Sequence, residues 1–341
     1  MKHFLLPLML SGFLFLGSCS EDPEPVNEPP VSTFKVVDDL DRMSLHGEYS
    51  KDADGDPLTY FWTSSSSSIQ ILNTQASKTY FKIPEEPVPG MIDITLTVSD
   101  GMSQNTSSVS LEVPTLSPTR SIGLGKTLGQ EKDNAVPYGW YFDQNNTGSF
   151  SLINCGPTSV TMAVKWAQED FAGTPQDARN TYRADGGWWY TYDIISYLQD
   201  YDVNNWTANL SNMNVVRNEI DNGNIAILCL DMYYVKEATT TTFHVDKFYK
   251  TDGPEWGHFI IVKGYKIVDG NTFFEVYDPY SMGNKYDDGA YKGLNRYYRS
   301  DDLASATGKW WPFVIFVSKA PAPPGARKSV SNAKIFHKPG R

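Results

Sequence analysis

The stretch INCGPTSVTMAVKW, Ile153 to Trp166, places a single cysteine directly before a helical pattern. Pro157 suits the first turn of a helix, where its missing N–H has no partner to lose, and Gly173 with Pro175 provides stop signals. We therefore expect Cys155 at the N-terminal end of a helix of about four turns, at ~3.6 residues per turn. The apolar residues that follow it recur with the spacing of one helix face: Val160, Ala163, Val164, Ala167 and Phe171.

A cysteine in that position has two possible roles. Free backbone N–H groups and the positive end of the helix dipole favour the thiolate, which is the nucleophilic form of the side chain. Alternatively, Cys155 is a buried residue or forms a disulfide with Cys229, because the chain contains only three cysteines. Cys229 lies in the apolar run IAILCLDM and is expected to be a small core residue of a buried strand. A nucleophilic role for Cys155 requires a base nearby.

Two of the five histidines, His244 and His258, lie in the same part of the chain as Cys155. His258 begins the strand-like run HFIIVKGYKIV, which the turn signal DGN and the run TFFEVYDPY follow. A hairpin about that turn would return Asp278 to His258, where opposed Cβ atoms lie ~5 Å apart. An aspartate there can hold the imidazole in its useful tautomer, whereas no turn brings an aspartate to His244. Cys155, His258 and Asp278 are therefore the candidates for a nucleophile, a base and an orienting residue.

Three segments of this region resemble a known family. NCGPTSVTMAV, GHFIIVKGY and VYDPY are similar, in that order, to the Cys, His and Asp motifs of C39-like cysteine peptidases, which have a papain-like fold. The resemblance covers nearly all of residues 134–318 and implies an α+β papain-like peptidase domain. It implies the same roles for Cys155, His258 and Asp278, and a peptide or protein substrate. No cofactor is expected, because no HExxH or CxxC spacing predicts a catalytic metal.

One position departs from the papain-like pattern. These enzymes place a glutamine about six residues before the cysteine, where its amide helps to bind the oxyanion. Here Ser149 occupies that place, and the nearest glutamine is Gln144, which we take as the oxyanion candidate. The loss of one such donor can reduce the rate by ~10²–10³. Two alternatives stay open. The same triad would also serve an amidase or acyltransferase acting on cell-wall peptides, and the displaced glutamine leaves open a catalytically silent protein that binds peptide or glycan.

Residues 31–114 have an all-β pattern of short alternating segments separated by turn signals, which is typical of a β-sandwich. SKDADGDPLTYFW and IDITLTVSDG resemble PKD and related immunoglobulin-like modules of surface proteins, with Trp62 in the core. The fold class predicted for the chain is therefore multidomain, with an immunoglobulin-like sandwich followed by the peptidase domain. Three alternating aspartates are weak calcium candidates, although an acidic turn explains them more simply: Asp52, Asp54 and Asp56.

The first residues have the pattern of an export signal. An apolar stretch follows Lys2, and LGSC at 16–19 resembles a bacterial lipobox, which implies that residues 1–18 are a signal peptide and that Cys19 carries a lipid. An ordinary secretory signal is the alternative. We expect an exported lipoprotein at the outer membrane or cell surface, held to the membrane by the lipid alone. Its net charge of −11 argues against nucleic acid as a partner.

The remaining segments are connections and a side-chain cluster. We interpret residues 19–30 as an extended tether, 115–133 as a linker and 319–341 as a flexible basic tail. The aromatic residues of GGWWYTY, Trp188 to Tyr192, are expected to pack in the core rather than to line a substrate site. The sequence predicts no oligomeric state.

Overall fold

The computed structural model of the chain describes residues 26–39 and 41–326. The predicted signal peptide, Cys19 and residues 327–341 of the predicted tail lie outside the described residues. The chain forms two compact units. The described part of the first unit comprises residues up to 82 together with 88–113, and the second comprises 83–87 and 114–326. Within the described residues, no helix has both the length and the apolar character needed to cross a membrane.

The first unit is built from two antiparallel sheets of three strands each, in the orders β1-β2-β4 and β3-β5-β6. Its strands are β1 (Lys35–Asp38), β2 (Arg42–His46), β3 (Thr59–Ser64), β4 (Lys78–Lys82), β5 (Ile92–Ser99) and β6 (Gln104–Leu111). Trp62 on β3 is buried, packs edge-on against Phe34 with ring centroids 5.0 Å apart, and donates its Nε1–H to the carbonyl oxygen of Ala76. The unit has the predicted all-β character, while the immunoglobulin-like arrangement of its sheets remains a prediction.

The second unit combines a seven-stranded sheet with six helices. Neighbouring strands pair antiparallel in the order β12-β11-β10-β9-β13-β8, and β7 pairs with the second half of β10. In chain order the elements are α1 (Pro118–Ser121), β7 (Leu128–Asp133), α2 (Cys155–Ala167), α3 (Pro175–Thr181), α4 (Thr191–Asp200), β8 (Asn204–Asn209), α5 (Asn214–Asp221), β9 (Ile225–Asp231), β10 (Gly257–Val268), β11 (Asn271–Tyr277), β12 (Arg296–Arg299), α6 (Ser300–Trp310) and β13 (Phe313–Ser318).

The presence of α1 and β7 corrects the interpretation of residues 115–133 as a linker. Every residue of β7, whose sequence is LGQEKD, is exposed, so the strand carries no alternation of apolar and polar residues. Its place in the sheet comes from backbone pairing with β10, where Asp133 stands opposite Gly264. A Cβ atom added at Gly264 would lie 2.5 Å from the carbonyl oxygen of Lys132, so this close approach requires glycine.

The core of the second unit lies on both faces of the sheet. The whole of β9 is buried, and its side chains alternate between two apolar clusters. Ile225, Ile227 and Cys229 belong to the cluster that contains the apolar face of α2 and α4, while the intervening side chains join the cluster of α5 and α6. This arrangement holds α2 against the middle of the sheet. Cys229 is a buried strand residue, as predicted.

Candidate active site

Cys155 is the first residue of α2 and is buried. The residue before it, Asn154, is held in place from both ends of its amide: Nδ2 donates to the carbonyl oxygen of Thr147 at 3.0 Å, and Oδ1 accepts a hydrogen bond from Arg179. Gly156 follows, and a Cβ atom there would lie 2.6 Å from Cβ of Trp189, so glycine lets the tryptophan close against the start of the helix. Cys155 therefore sits among N–H groups that have no acceptor within the helix, as the sequence predicts.

The predicted hairpin is present and brings His258 and Asp278 together. Strands β10 and β11 pair from Val268 opposite Asn271 to Ile261 opposite Tyr277. The two residues of the turn, Asp269 and Gly270, both have positive φ, as in the type I′ turns that match the twist of a hairpin. At the other end of the hairpin, Nε2 of His258 lies 2.8 Å from Oδ1 of Asp278, and both side chains are buried.

Asp278 accepts three further hydrogen bonds. The backbone N–H of Tyr280 donates to Oδ1 at 2.9 Å, and the hydroxyl groups of Tyr249 and Tyr298 both donate to Oδ2. Burial by itself would raise the pKa of this carboxyl, but the charge of His258 and these hydrogen bonds hold it below its ordinary value. The buried carboxylate is therefore ionised, and each of its oxygens accepts two hydrogen bonds.

His258 is protonated over a wide pH range because of this partner. Burial opposes the charged form, but the charge of Asp278, the hydrogen bond to it and a hydrogen bond with the Cys155 side chain together raise the pKa of His258 to about 10. Since Nε2 faces Asp278, Nδ1 is the ring nitrogen available to the thiol. Cys155, the first residue of α2, thus lines the same cleft as this imidazolium.

A cleft opens beside these residues. Its empty volume is about 650 Å³, including the open mouth, and it is bounded by Cys155, His258 and a largely aromatic wall of Trp188, Trp189, Tyr190, Phe259, Trp310 and Trp311. Trp189 belongs to the core cluster, as predicted, but it also lines the cleft. The prediction is wrong for Trp188, which is 43% exposed and lines the cleft. Adjacent aromatic residues on an irregular segment point in different directions, so sequence alone does not separate the two roles.

Cys229 also lines this cleft, and both cysteines are free thiols. The alternative of a Cys155–Cys229 disulfide is therefore wrong for this structure. Burial raises the pKa of the Cys229 thiol well above its ordinary value, so this residue stays neutral beside the candidate site.

Gln144 lines a second, smaller pocket that shares Cys155, Trp188 and His258 with this cleft. Two short 3-10 turns, Gln144–Asn146 and Ser151–Ile153, shorten the path between the glutamine and the cysteine. The buried amide of Gln144 donates from Nε2 to the carbonyl oxygen of Ser151 at 2.9 Å, which occupies one of its two N–H groups. The structure therefore brings the displaced glutamine to the site despite its unusual spacing.

The structure gives the other predicted site residues ordinary surroundings. Asp52, Asp54 and Asp56 bring their carboxylate oxygens within 4.8 Å of one another, but Oδ1 of Asp52 accepts the N–H groups of the other two, as in an acidic turn. Calcium binding there remains a prediction. His244 stacks on Tyr286, with ring centroids 4.2 Å apart.

Comparison with known proteins supports the family resemblance. Residues 138–305, slightly less than half of the chain, match the model of the Peptidase_C39 like family. This segment is therefore similar to C39-like peptidase domains, and the match suggests a peptidase-type function. No curated protein matches the chain.

Two solved structures are also similar to parts of the chain. A nucleoside hydrolase-related protein from Saccharophagus degradans, associated with carbohydrate metabolism, is 26% identical over 26% of each chain, with a TM-score of 0.22. The chain thus spans about a quarter of that protein's length. A C39-like peptidase from Bacillus anthracis is 11% identical over 57% of this chain and 100% of its own, with a TM-score of 0.35. At these TM-scores, neither likeness bears on fold or function.

Proposed function

We propose that residues 134–318 form a papain-like cysteine peptidase domain that hydrolyses peptide bonds with a Cys155–His258–Asp278 triad. The observation that carries this proposal is the buried His258–Asp278 pair, with its 2.8 Å contact, at a cleft shared with the first residue of α2. A nucleophile, a base hydrogen-bonded to it and a group that orients the base are the parts that covalent catalysis of acyl transfer requires.

The proposed reaction has two halves. The Cys155 thiolate attacks the carbonyl carbon of the scissile bond and forms a carbon–sulfur bond, and the His258 imidazolium gives its Nδ1 proton to the leaving amine as the C–N bond breaks. A water molecule then attacks the thioester and transfers a proton to His258. The acid product leaves, and the thiolate–imidazolium pair is restored. Asp278 keeps Nε2 of His258 in a fixed direction throughout.

Two groups are proposed to bind the oxyanion. The backbone N–H of Cys155 belongs to the first turn of α2, and Gln144, which has a second amide N–H left to donate, lines a pocket together with Cys155. Donors fixed before the reaction stabilise the charge that develops on the carbonyl oxygen. The proposal therefore gives Gln144 the role of the papain-like glutamine, although it stands eleven residues before the cysteine.

The cleft favours an apolar substrate side chain close to the scissile bond. Its walls are largely aromatic, and the charged groups among the described residues that line it are His258 and the proposed thiolate of Cys155, which offset each other. A lysine, arginine, aspartate or glutamate side chain would lose water there, and the two catalytic charges are already paired with each other. We therefore propose that peptides with a bulky apolar residue are the preferred substrates.

The location of the domain is a further part of the proposal. The lipobox-like LGSC at residues 16–19 and the resemblance of residues 31–114 to surface modules support a lipid-anchored peptidase at the cell surface. The immunoglobulin-like unit would act as a spacer or an adhesion module.

The test is peptide cleavage by the full chain in detergent, measured as new amino termini from a peptide library. Wild-type protein is expected to cleave next to bulky apolar residues, and Cys155→Ala and His258→Ala are expected to abolish cleavage. His244→Ala is the matched control, because His244 lies outside the site. Release of cell-wall amides or transfer products instead would support the amidase or acyltransferase, and binding without turnover would support the silent protein.

A further inference from the structure

Arg179, on α3, is a buried arginine that donates hydrogen bonds to the two residues before the candidate nucleophile. Its Nε donates to Oδ1 of Asn154 at 2.7 Å, and its Nη2 donates to the carbonyl oxygen of Ile153 at 3.3 Å. Nη1 donates to the carbonyl oxygen of Gly187 at 2.9 Å. One guanidinium therefore ties together the two residues before Cys155 and the loop that leads to the aromatic wall of the cleft.

All of these acceptors are neutral. Among the described residues, Arg179 has no carboxylate partner, and a buried charge without a counter-ion is costly. Burial accordingly lowers the pKa of Arg179, and a negative charge on Cys155, the residue after its acceptor Asn154, would oppose that shift. The position of this guanidinium thus favours a negative charge on the side chain of Cys155.

The other groups near Cys155 that could carry a charge are either paired or neutral, whereas Arg179 has no carboxylate partner among the described residues. From β10, His258 is paired with Asp278, and from β9, Cys229 is neutral because burial raises its pKa. Arg183 and Asp193, which also act on Arg179, form their own ion pair at 2.7 Å.

A second buried arginine gives a comparison within the same chain. Arg296, on β12, is equally buried and is also bound by neutral groups, the carbonyl oxygens of Phe243, Val245 and Asp246. A guanidinium bound in this way can therefore be purely structural. The two arginines differ in the segment that they bind. Arg296 binds residues 243–246, whereas Arg179 binds the segment that ends in Cys155.

We infer that Arg179 is a positioning residue of the site: its charge stabilises the Cys155 thiolate, and its fork fixes the N–H groups at the start of α2. The inference rests on the proposed function of Cys155. Charge and geometry are separable by substitution, because lysine keeps the charge but cannot reproduce the planar fork, while glutamine lacks the charge.

The experiment follows iodoacetamide alkylation of Cys155 against pH, by peptide mass spectrometry on the full chain in detergent. Arg179→Gln is expected to raise the pH of half-maximal alkylation by about one unit, so that the rate in mildly acidic buffer falls about tenfold. Arg179→Lys is expected to keep the wild-type midpoint, while peptide turnover falls about tenfold because the fork is lost.

Arg296→Gln is the matched control, and it is expected to lower the melting temperature without moving the alkylation midpoint. Equal midpoints in wild type and Arg179→Gln would overturn the inference. So would equal shifts in Arg179→Gln and Arg179→Lys, since both would then reflect geometry alone. If Arg179→Gln does not fold, a shifted midpoint in Arg179→Lys would likewise overturn it. A wild-type protein with an ordinary thiol profile and no turnover would instead contradict the proposed function.

Discussion

The β10–β11 hairpin and the connection 232–256 both deliver groups to Asp278, but they are specified in different ways. The hairpin consists of two apolar strands around a turn that needs positive φ, so neighbouring residues dictate its shape. The connection contains one short 3-10 turn, Met232–Tyr234, and is held by distant contacts, such as Nζ of Lys247 on the carbonyl oxygen of Met232. The site thus combines contacts that neighbouring residues determine with contacts that depend on the packing of distant segments. Only the first kind can be predicted from the sequence.

The largest expected effect comes from removing the carboxylate that both regions reach. Asp278→Ala leaves a buried imidazole and two tyrosine hydroxyl groups without their acceptor. Breaking a buried charged pair in this way costs about 3–5 kcal/mol of stability, and turnover should fall by ~10³ or more because His258 loses its orientation. Urea denaturation and peptide turnover measure the two losses.

Asp269→Ala is the control for this prediction. Asp269 lies in the turn of the same hairpin, where its carboxylate accepts the N–H groups of Lys126 and Thr127. Its removal should leave peptide turnover unchanged. An equal loss of turnover in both variants would mean that the hairpin as a whole, rather than the His258–Asp278 contact, controls activity.

Substitution of the two tyrosines that donate to Asp278 compares the sheet with the connection 232–256 directly. Tyr298→Phe removes a donor held by strand β12, and Tyr249→Phe removes one held by the connection. Hydrogen bonds to buried charged groups contribute about 1.5–3 kcal/mol, so each variant should be destabilised on that scale, with the larger loss for Tyr298 on the better fixed strand. In both variants the acidic limb of the pH–rate profile should shift to higher pH, because the loss of a hydrogen bond to the carboxylate raises the pKa of Asp278. Equal losses would show that the connection is as well fixed as the sheet.

The pH dependence of stability tests the charge state of the pair. The pKa of His258 is raised from its unfolded value near 6.5 to about 10. The stabilisation from this shift is therefore fully present below pH ~6.5 and is lost as the pH rises towards ~10. The melting temperature of the wild type should fall over that interval, and it should fall less in His258→Ala. A flat wild-type profile would contradict a charged pair.

The smallest expected effect concerns the turn. Gly270 has φ of 79°, and an alanine there costs roughly 1 kcal/mol because its Cβ atom opposes the left-handed conformation. Gly270→Ala should lower stability by about that amount and leave turnover unchanged. Gly139→Ala is the matched control, since its Cβ atom would meet nothing within 4 Å. A loss of turnover in Gly270→Ala would mean that the register of the hairpin depends on the turn alone.

The features that the sequence predicts are those with short-range causes. The helix that begins at Cys155 follows from apolar spacing and Pro157, and the approach of Asp278 to His258 follows from one turn and two strands. Strand β7 was missed because all its side chains are exposed and its pairing is made by the backbone.

Tyr249, Tyr298 and Arg179 were missed for a related reason. They reach the site from the long connection, from an edge strand and from a neighbouring helix, so their roles depend on how the chain packs at long range. Gln144 was predicted in part. The papain-like resemblance identified it as a candidate, but only the structure shows the two short turns that bring it to a pocket shared with Cys155.

The central claim is that Cys155 and His258 form a thiolate–imidazolium pair, and the most direct measurement is the alkylation rate of Cys155 against pH in wild type and His258→Ala. An unperturbed thiol titrates near pH ~8.5, whereas a paired thiolate reacts well below pH ~7. We predict rapid alkylation in mildly acidic buffer that disappears in His258→Ala. Profiles that coincide in the two proteins, with the midpoint of an ordinary thiol, would contradict the claim.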